Sequence, residues 1–327
     1  MKNKTITVLI TGVGAIIGYG LINSLKKSKY TCRVIGIDIF HDAVGQQWCD
    51  TFIQGVRADS DAFIPFINDI VKTEKVDLVI PGIEQDLKAL IANFDTLDHH
   101  AKYSLNNKSL YQTFDDKKLT YKFLEGIADL IPYVDYSDTL FADAKEKFGL
   151  PFILKQDISY ASKGVALIHE QKDFDFYIDR FGSGCMAQKK LDIKDREYTC
   201  SLFGLGDGSF VNPTCLRREL SQEGATKKAL NVEVDAVLLE SMIKICQKCQ
   251  FEGPTNLQFI EFEGKYLLLE INGRVSSSTS MRELFGINEA QMCIDHYLMQ
   301  TKPETQKQRY GTIMRYIGDA YFDSNTL

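Results

Sequence analysis

The residues best suited to chemistry lie in the stretch 266–280, where Glu270, Asn272 and Arg274 occupy alternate positions at the end of an apolar run. On an extended strand, residues two apart point to one face, so a carboxylate, an amide and a guanidinium would share a face. Carboxylate and amide oxygens suit a hard divalent cation such as Mg²⁺, and arginine suits phosphate or carboxylate. The pattern predicts a cation site beside an anion clamp, as nucleotide triphosphate chemistry requires. A polar strand end with solvated side chains is the simpler alternative.

A second group of candidate residues lies upstream, where the chain becomes β-rich. The apolar strand 152–155 ends in Lys155, and 159–164 is a turn of small residues that carries Lys163. The backbone N–H groups of such a turn can face phosphate oxygens. The hairpin is therefore predicted to close over a nucleotide, with an ordinary exposed hairpin as the alternative.

The N-terminal part of the chain alternates strands and helices. Residues 5–11 form an apolar β-branched run, a glycine-rich turn covers 12–18, and a helical pattern continues through Leu25. With a following strand that ends at Asp38, this opening is typical of a Rossmann-like unit. It keeps an NAD(P)-dependent oxidoreductase open as a hypothesis, although such a glycine turn also serves simply for close packing.

Two carboxylates follow the strand 76–81 and are candidates for a substrate contact, namely Glu84 and Asp86. Ligands bind at the carboxyl edge of open α/β sheets, where these residues would lie. Solvated carboxylates at the start of a helix are the alternative.

The pattern changes twice along the chain, which predicts three parts. Residues 1–106 are predicted to form a Rossmann-like α/β domain, and residues 107–184 to form linker helices and a small lid. Residues 185–327 are predicted to form an α+β body that carries the metal site. Within that body, a tight turn predicts a hairpin that brings Gln258 near the strand of Glu270.

Composition excludes several function classes. The chain has 327 residues, of which 44% are hydrophobic and 25% charged, and a net charge of −6. This is an ordinary globular balance without the basic footprint of a nucleic-acid-binding protein. The apolar runs are far shorter than the roughly 20 residues of a membrane-spanning helix, and the start lacks a signal-peptide pattern. A cytoplasmic protein is expected, and the CxxC of Cys246 and Cys249 is expected to be part of a helix rather than a metal or redox site.

Taken together, these segments resemble the ATP-grasp superfamily, especially carbamoyl-phosphate synthetase large subunits and small carboxylate–amine ligases such as the pyrrolysine-biosynthesis ligase. The resemblance runs from the glycine-rich N-terminal domain through FILKQDISYASKGV, QKKLDIKDREYT and RRELSQEGATKK to GPTNLQFIEFEGKYLLLEINGR. It implies an α/β ATP-grasp fold with an N-terminal Rossmann-like (pre-ATP-grasp) domain, a small α+β lid subdomain and a C-terminal α+β body. In this superfamily the first domain helps to form the acceptor site and does not bind NAD, so the oxidoreductase becomes a minor hypothesis.

The resemblance also implies roles for individual residues. Those expected to bind ATP are Lys117, Lys155, the loop residues Ser159, Ser162 and Gly164, the hinge residues Gln188, Lys189 and Leu191, and Glu197. Those expected to hold two Mg²⁺ ions, or Mn²⁺ as a substitute, are Gln258, Glu270 and Asn272. Those expected to stabilise phosphate and the intermediate are Arg274, Lys163 and one of the neighbours Arg217 and Arg218. Gln188 stands where glutamate is usual, and Gly273 stands where the motif has proline.

The implied reaction is activation of a carboxylate by ATP as an acyl phosphate, followed by attack of an amine or ammonia. Two alternatives stay open, which are carbamoyl-phosphate-like activation of bicarbonate and a nucleotide-binding sensor without turnover. The expected partners are small-molecule carboxylate and amine substrates, with no nucleic acid and no membrane. A homodimer is the default expectation for the assembly.

Overall fold

The N-terminal domain is built on a parallel sheet with an apolar centre. The computed structural model describes residues 5–159, 164–192, 196–221 and 226–322. The strands of this first sheet are β1 (Ile6–Thr11), β2 (Cys32–Asp38), β3 (Thr51–Gln54), β4 (Leu78–Ile80) and β5 (Lys102–Tyr103), in the order β3-β2-β1-β4-β5. Val8, Leu9 and Ile10 are fully buried in succession, so both faces of β1 are covered, as parallel sheets require.

Helices cover both faces of this sheet and begin at its carboxyl edge. They are α1 (Ile16–Lys26), α2 (Phe63–Thr73) and α3 (Glu84–Ala92), with short 3-10 turns at Val44–Trp48 and Phe94–Thr96. The strand order reverses between β1 and β4, so the turns after these two strands flank the crevice at the topological switch point. A Cβ on Gly82 would lie 2.2 Å from the carbonyl oxygen of Thr11 and 2.8 Å from Cα of Gly18. The glycines here therefore permit close packing of β1, β4 and α1.

The lid follows two connecting helices, α4 (Lys108–Asp115) and α5 (Lys117–Phe123). Its sheet contains β6 (Tyr133–Asp135), β7 (Phe152–Gln156), β8 (Val165–Ile168) and β9 (Cys185–Lys189), in the order β6-β9-β7-β8. Helices α6 (Leu140–Phe148) and α7 (Gln171–Phe181) pack on this sheet around Phe152 and Phe174. This sheet extends through β9 to Lys189, beyond the expected limit at residue 184; the domain limits themselves remain a proposal.

The C-terminal body is an antiparallel sheet. Its strands are β10 (Glu197–Leu205), β11 (Phe210–Leu220), β12 (Thr226–Val232), β13 (Glu252–Phe262), β14 (Lys265–Asn272) and β15 (Gly311–Met314), in the order β14-β13-β10-β11-β12-β15. Helix α8 (Ala236–Cys249) covers one face, where Leu238 and Met242 pack with Leu257 and Phe259. Cys246 and Cys249 lie buried on this helix as free thiols.

The body and the first domain share a core. Helices α9 (Thr279–Leu284) and α10 (Glu289–Cys293), and the π-helical turn Ile294–Leu298, follow β14 in the chain. Leu21 and Ile22 of α1 share one hydrophobic cluster with Ile287 and Ala290. The predicted fold class is confirmed, since the chain combines the parallel domain, the small lid and the antiparallel body. No helix within the described ranges is long and apolar enough to cross a membrane.

Candidate active site

A cavity of about 940 Å³ lies where the three parts of the chain meet. The first domain contributes Glu84, the lid contributes Lys155, and the body contributes Glu270 to its lining. Most of the residues that the sequence nominates therefore converge on one space, although they are spread from residue 84 to residue 274 in the chain.

The centre of the cavity is formed by the hairpin of β13 and β14. Gln258 and Glu270 are paired directly across the two strands, and Asn272 follows Glu270 on the same face. Glu270 Oε1 accepts hydrogen bonds from Asn272 Nδ2 at 2.6 Å and from Gln258 Nε2 at 3.4 Å. The alternate spacing thus places the three predicted metal ligands together, as the strand period requires.

Two arginines flank this group, one on each side. Arg218 donates through Nε to Glu197 Oε1 at 3.0 Å and through Nη2 to Gln258 Oε1. Arg274 donates to Glu84 through Nε and to Asn272 Oδ1 through Nη2 at 3.3 Å. Each guanidinium therefore joins a carboxylate to one of the amide oxygens beside Glu270.

The donor set of the hairpin fits a hard divalent cation, although with little negative charge. It offers one carboxylate and two amide oxygens, and hard cations prefer such oxygens. No group of three His, Cys, Asp or Glu side chains within the described ranges is arranged to hold a metal. Because Mg²⁺ is normally held by one or two carboxylates together with substrate phosphates, this set suits a cation that arrives with a nucleotide.

Lysines from the lid and its connecting helix form the other wall. Burial lowers the pKa of Lys155 to about 8, an effect that the nearby Glu270 opposes. Within the described part of the chain, Lys155 has no hydrogen-bond partner for its ammonium group. Lys117 Nζ donates to Ser159 Oγ at 2.9 Å and to the Ser159 carbonyl at 3.1 Å, and burial lowers its pKa as well. This wall is therefore cationic, and no carboxylate of the described residues forms an ion pair with either lysine.

The far end of the cavity is an apolar slot at the junction of lid and body. Apolar side chains from both sheets line it, namely Ile131, Ile153, Val165, Leu191, Ile260 and Leu269. Gln188 is buried, and its Nε2 donates to the hydroxyl of Tyr121 at 2.6 Å. Lys189 also lines this end, where its Nζ lies 5.8 Å from the centre of the Phe262 ring. A slot of this shape suits a planar aromatic ring such as a nucleobase.

Two of the residues nominated by the resemblance, Gly164 and Arg217, do not line the cavity, and two others are not described. Ser162 and Lys163 lie outside the described residues. Gly164 pairs with Gln156 through its carbonyl, which accepts from the Gln156 N–H at 2.8 Å, and it does not line the cavity. Arg217 is exposed and is absent from the cavity lining, whereas its neighbour Arg218 lines the cavity.

The two carboxylates of the first domain differ in their positions. Glu84 lines the cavity, and it accepts from Arg274 and from the Tyr111 hydroxyl at 2.7 Å. Burial raises the pKa of Glu84, but Arg274 and Tyr111 more than offset this effect, so its pKa is lowered. Asp86 is buried outside the cavity lining, and burial raises its pKa to about 6.

Two polar residues of the cavity wall were missed in the sequence, namely Thr199 and Asn256. Asn256 lies two residues before Gln258 on the same strand, so the period of two could have identified it. Thr199 has no comparable sequence signal, because its position depends on the pairing of distant segments.

Two family models match parts of the chain. Residues 8–100 match the PylC-like N-terminal domain, and residues 194–320 match the model of ATP-grasp in the biosynthetic pathway with Ter operon. Among curated proteins, the carbamoyl phosphate synthase large chain of Clostridium botulinum is 24% identical over 144 residues, which is 40% of this chain. The match spans only 13% of that relative.

Solved structures resemble almost the whole chain. N5-carboxyaminoimidazole synthetase from Staphylococcus aureus in complex with ADP has a TM-score of 0.74 at 20% identity, covering 94% of this chain and 81% of that one. Biotin carboxylase from Campylobacter jejuni, complexed with β-γ-ATP, has a TM-score of 0.74 at 16% identity, covering 94% and 74%. The biotin carboxylase domain dimer of 2-oxoglutarate carboxylase from Hydrogenobacter thermophilus, with MgADP, ADP and bicarbonate, has a TM-score of 0.70 at 12% identity, covering 94% and 73%.

At these identities the structural likeness shows the fold, which is the fold that the sequence predicted. The family models match the first domain and most of the body, including the hairpin of Gln258 and Glu270. ATP-grasp enzymes use ATP and Mg²⁺. The chain therefore has the ATP-grasp fold, and its residues 194–320 match an ATP-grasp family model.

Proposed function

We propose that the protein is an ADP-forming ligase that activates a carboxylate with ATP and joins it to an amine. The observation that carries this proposal is the convergence of Gln258, Glu270 and Asn272 with Lys117 and Lys155 around one cavity. Oxygen ligands for a cation and unpaired cations for phosphate are what phosphoryl transfer needs, since the protein acts there mainly by positioning and charge stabilisation.

The nucleotide would lie between lid and body. Its base fits the apolar slot beside Leu191, and Glu197 is placed to accept from ribose hydroxyls once Arg218 moves toward phosphate. Lys117 and Lys155 would hold the phosphates, together with Ser159 and with Ser162 and Lys163, which lie outside the described residues. The latter two roles rest on the sequence alone.

Gln258, Glu270 and Asn272 would hold Mg²⁺, and two ions, with Mn²⁺ as a substitute, are our proposal. Bound there, Mg²⁺ would neutralise phosphate charge and orient the γ-phosphate. The amide oxygens of Gln258 and Asn272 accept from Arg218 and Arg274 in the structure, so cation binding would release both guanidiniums. The freed arginines would then stabilise the transferred phosphoryl group and the acyl phosphate.

The reaction would proceed in two steps. A carboxylate oxygen attacks the γ-phosphorus, ADP leaves, and an acyl phosphate forms. The amine then attacks the acyl carbon and phosphate leaves. The acceptor would enter from the first domain, where the turns after β1 and β4 line the cavity beside Glu84.

A second candidate is activation of bicarbonate. It is favoured by the resemblance to carbamoyl phosphate synthase, and the Hydrogenobacter thermophilus neighbour binds bicarbonate. Because the chain spans about an eighth of those curated relatives' length, it would at most perform one catalytic part of their reaction. A homodimer in the cytoplasm is the proposed assembly and location.

The experiment is a measurement of ADP release from Mg²⁺-ATP across a panel of carboxylates, with and without amines. The proposed ligase releases ADP only when a carboxylate is present, and forms an amide when the amine is added. ADP release with bicarbonate alone would support the second candidate. Binding of ATP without any turnover would support a sensor, and absence of ATP binding would contradict both ligase reactions.

A further inference from the structure

The largest side chain in the fully buried core of the body is a charged one, Arg282 of α9. It is 0% exposed, and its nearest carboxylate is the equally buried Glu289, whose Oε1 lies 3.8 Å from Nη1. A buried ion pair is weak evidence for stability, because desolvation of the two charges offsets their attraction. A structural role alone therefore does not explain why an arginine occupies this position.

The guanidinium of Arg282 reaches the back of the cavity wall. Its Nη2 donates to Asn256 Oδ1 at 2.9 Å and lies 3.4 Å from Thr199 Oγ1, and its Nη1 donates to Ser276 Oγ. Asn256, Thr199 and Ser276 all line the cavity, whereas Arg282 does not. Arg282 thus contacts the side chains that a substrate would meet, from the side opposite the substrate.

These contacts fix the orientation of Asn256. Its Oδ1 accepts from Arg282 and from the Thr199 hydroxyl at 2.7 Å, which uses both lone pairs. A flipped amide would place Nδ2 against a guanidinium that can only donate, so the flip is excluded. Asn256 is 2% exposed, and its Nδ2 has no hydrogen-bond partner among the described residues. Nδ2 is therefore an unpartnered donor in the wall of the cavity.

The same argument applies to Ser276. Its Oγ accepts from Arg282 and from the backbone N–H of Ser278 at 3.2 Å, so its lone pairs are used and its O–H remains to donate. Asn256 and Ser276 together form a patch that offers donors and no acceptor. Asn256 also faces Asn272 across the strand pair, so this patch adjoins the candidate metal ligands.

We propose that Arg282 is a positioning residue that fixes Asn256 and Ser276 as donors for the carboxylate that is phosphorylated. The inference rests on the proposed function and assigns the carboxylate to this part of the cavity. A deprotonated carboxylate needs only donors, whereas bicarbonate also carries an O–H that needs an acceptor. The two side chains therefore favour a carboxylate over bicarbonate.

The test uses acetate as the probe and the full chain with Mg²⁺ and a non-hydrolysable ATP analogue bound. Asn256→Asp keeps the acceptor for Arg282 but replaces the donor toward the cavity with a carboxylate oxygen. We expect the Kd for acetate, measured by calorimetry, to rise about 10- to 100-fold, the value of a hydrogen bond to a charged group. The Kd for the nucleotide measured without Mg²⁺ should change by less than about twofold, because neither the apolar slot nor the lysines hydrogen-bond to Asn256 among the described residues.

Arg282→Lys tests the positioning role. The lysine ammonium keeps a positive charge beside Glu289. It lacks the fixed, forked geometry with which the arginine guanidinium donates to Asn256 and Ser276 together. Acetate affinity should fall about tenfold in Arg282→Lys. Ser276→Ala should weaken acetate binding less when it is combined with Arg282→Lys than when it is made alone. Arg196→Lys, which changes a half-exposed arginine outside the cavity lining, is the matched control.

Three results would overturn the inference. These are acetate affinity in Asn256→Asp equal to that of the unchanged protein, no acetate binding by the unchanged nucleotide complex, and tighter binding of bicarbonate than of acetate. Each leaves ATP binding intact and so leaves the proposed nucleotide chemistry standing. Failure to bind nucleotide would instead contradict the proposed function, and this inference with it. If Arg282→Lys does not fold, Asn256→Asp still decides the question.

Discussion

The cationic side chains at the two ends of the cavity are held in different ways. At the proposed nucleotide end, Lys155 has no partner among the described residues, and Lys117 donates to a serine. At the proposed substrate end, Arg274 is paired with Glu84, and behind the cavity wall Arg282 is paired with Glu289. The nucleotide end therefore has charge left for phosphates, whereas the substrate end is already neutralised and offers orientation.

This difference has a physical reason. A triphosphate brings several negative charges, and uncompensated lysines near it gain most when the charge arrives in a site that excludes water. A single carboxylate brings one charge and must be aimed at the γ-phosphorus, so fixed donors matter more than net charge there. Glu270 lies between the two ends and is where they must cooperate.

The largest effect should come from Glu270→Gln, which removes the one carboxylate of the metal set. We expect ADP release to fall by about 10² to 10³-fold, since a metal supplies several kcal/mol of charge stabilisation. Turnover measured against Mg²⁺ concentration gives the test, with Glu261→Gln on the neighbouring strand as control. Unchanged Mg²⁺ dependence in Glu270→Gln would break the assignment of the centre.

The next-largest effect on turnover should distinguish two adjacent arginines, Arg217 and Arg218. Arg218 touches Glu197 and Gln258, so Arg218→Ala should lower kcat by about 10²-fold, as loss of one preorganised donor does. Arg217 is exposed and outside the cavity lining, so Arg217→Ala should change kcat by less than about twofold. Equal losses in the two variants would show that the face of β11 has been assigned wrongly.

Lys155 provides a pH test of the nucleotide end. Its pKa is lowered to about 8, so its charge is present below pH 8 and is lost as the pH rises through that value. Phosphates favour the charged form, so ATP binding at pH 8 should take up about half a proton and should weaken at higher pH. Calorimetry in buffers of different ionisation enthalpy measures the uptake.

Lys155→Met should abolish this proton uptake and raise the Kd for ATP by about tenfold or more. Lys145→Met, on the exposed face of α6, is the matched control. If the proton uptake persists in Lys155→Met, another group titrates and the contrast between the two ends loses its main support.

The smallest effect should come from Glu84→Gln at the substrate end. Arg274 keeps a neutral acceptor there but loses its charged partner, so kcat/KM should fall by about tenfold while the Kd for ATP stays unchanged. Tyr111→Phe removes the other hydrogen bond to Glu84 and should have less effect. A weakened ATP affinity in Glu84→Gln would mean that the two ends are not separate.

The sequence was most informative where local geometry determines the site. Glu270 and Asn272 lie two apart on one strand, and Gln258 is joined to them by a tight turn, so strand period and hairpin pairing predict the group. The glycine-rich start predicted the parallel domain for the same local reason. Lys155 was identifiable as a charge on an apolar strand.

The rest of the site depends on contacts that are remote in the chain. Glu84 and Arg274 are separated by 190 positions, and Arg282 contacts Asn256 across 26. In the sequence, Arg282 looks like an ordinary surface residue of a short helix, because only the tertiary packing buries it. The choice between Arg217 and Arg218 likewise required the register of β10 and β11, which neighbouring residues do not determine.

The hairpin of β13 and β14 has a consequence for how such a protein can diverge. All three candidate metal ligands belong to one contiguous segment of chain, whereas most residues of the proposed substrate site lie elsewhere: Glu84 in the first domain, Thr199 on β10 and Ser276 just before α9, with Asn256 alone on the hairpin. Substitutions that alter the accepted substrate can therefore accumulate outside the hairpin while the phosphoryl-transfer apparatus is inherited intact. A new specificity in this scaffold would be sought by varying the surroundings of Ser276 and Glu84, with the hairpin left as it is.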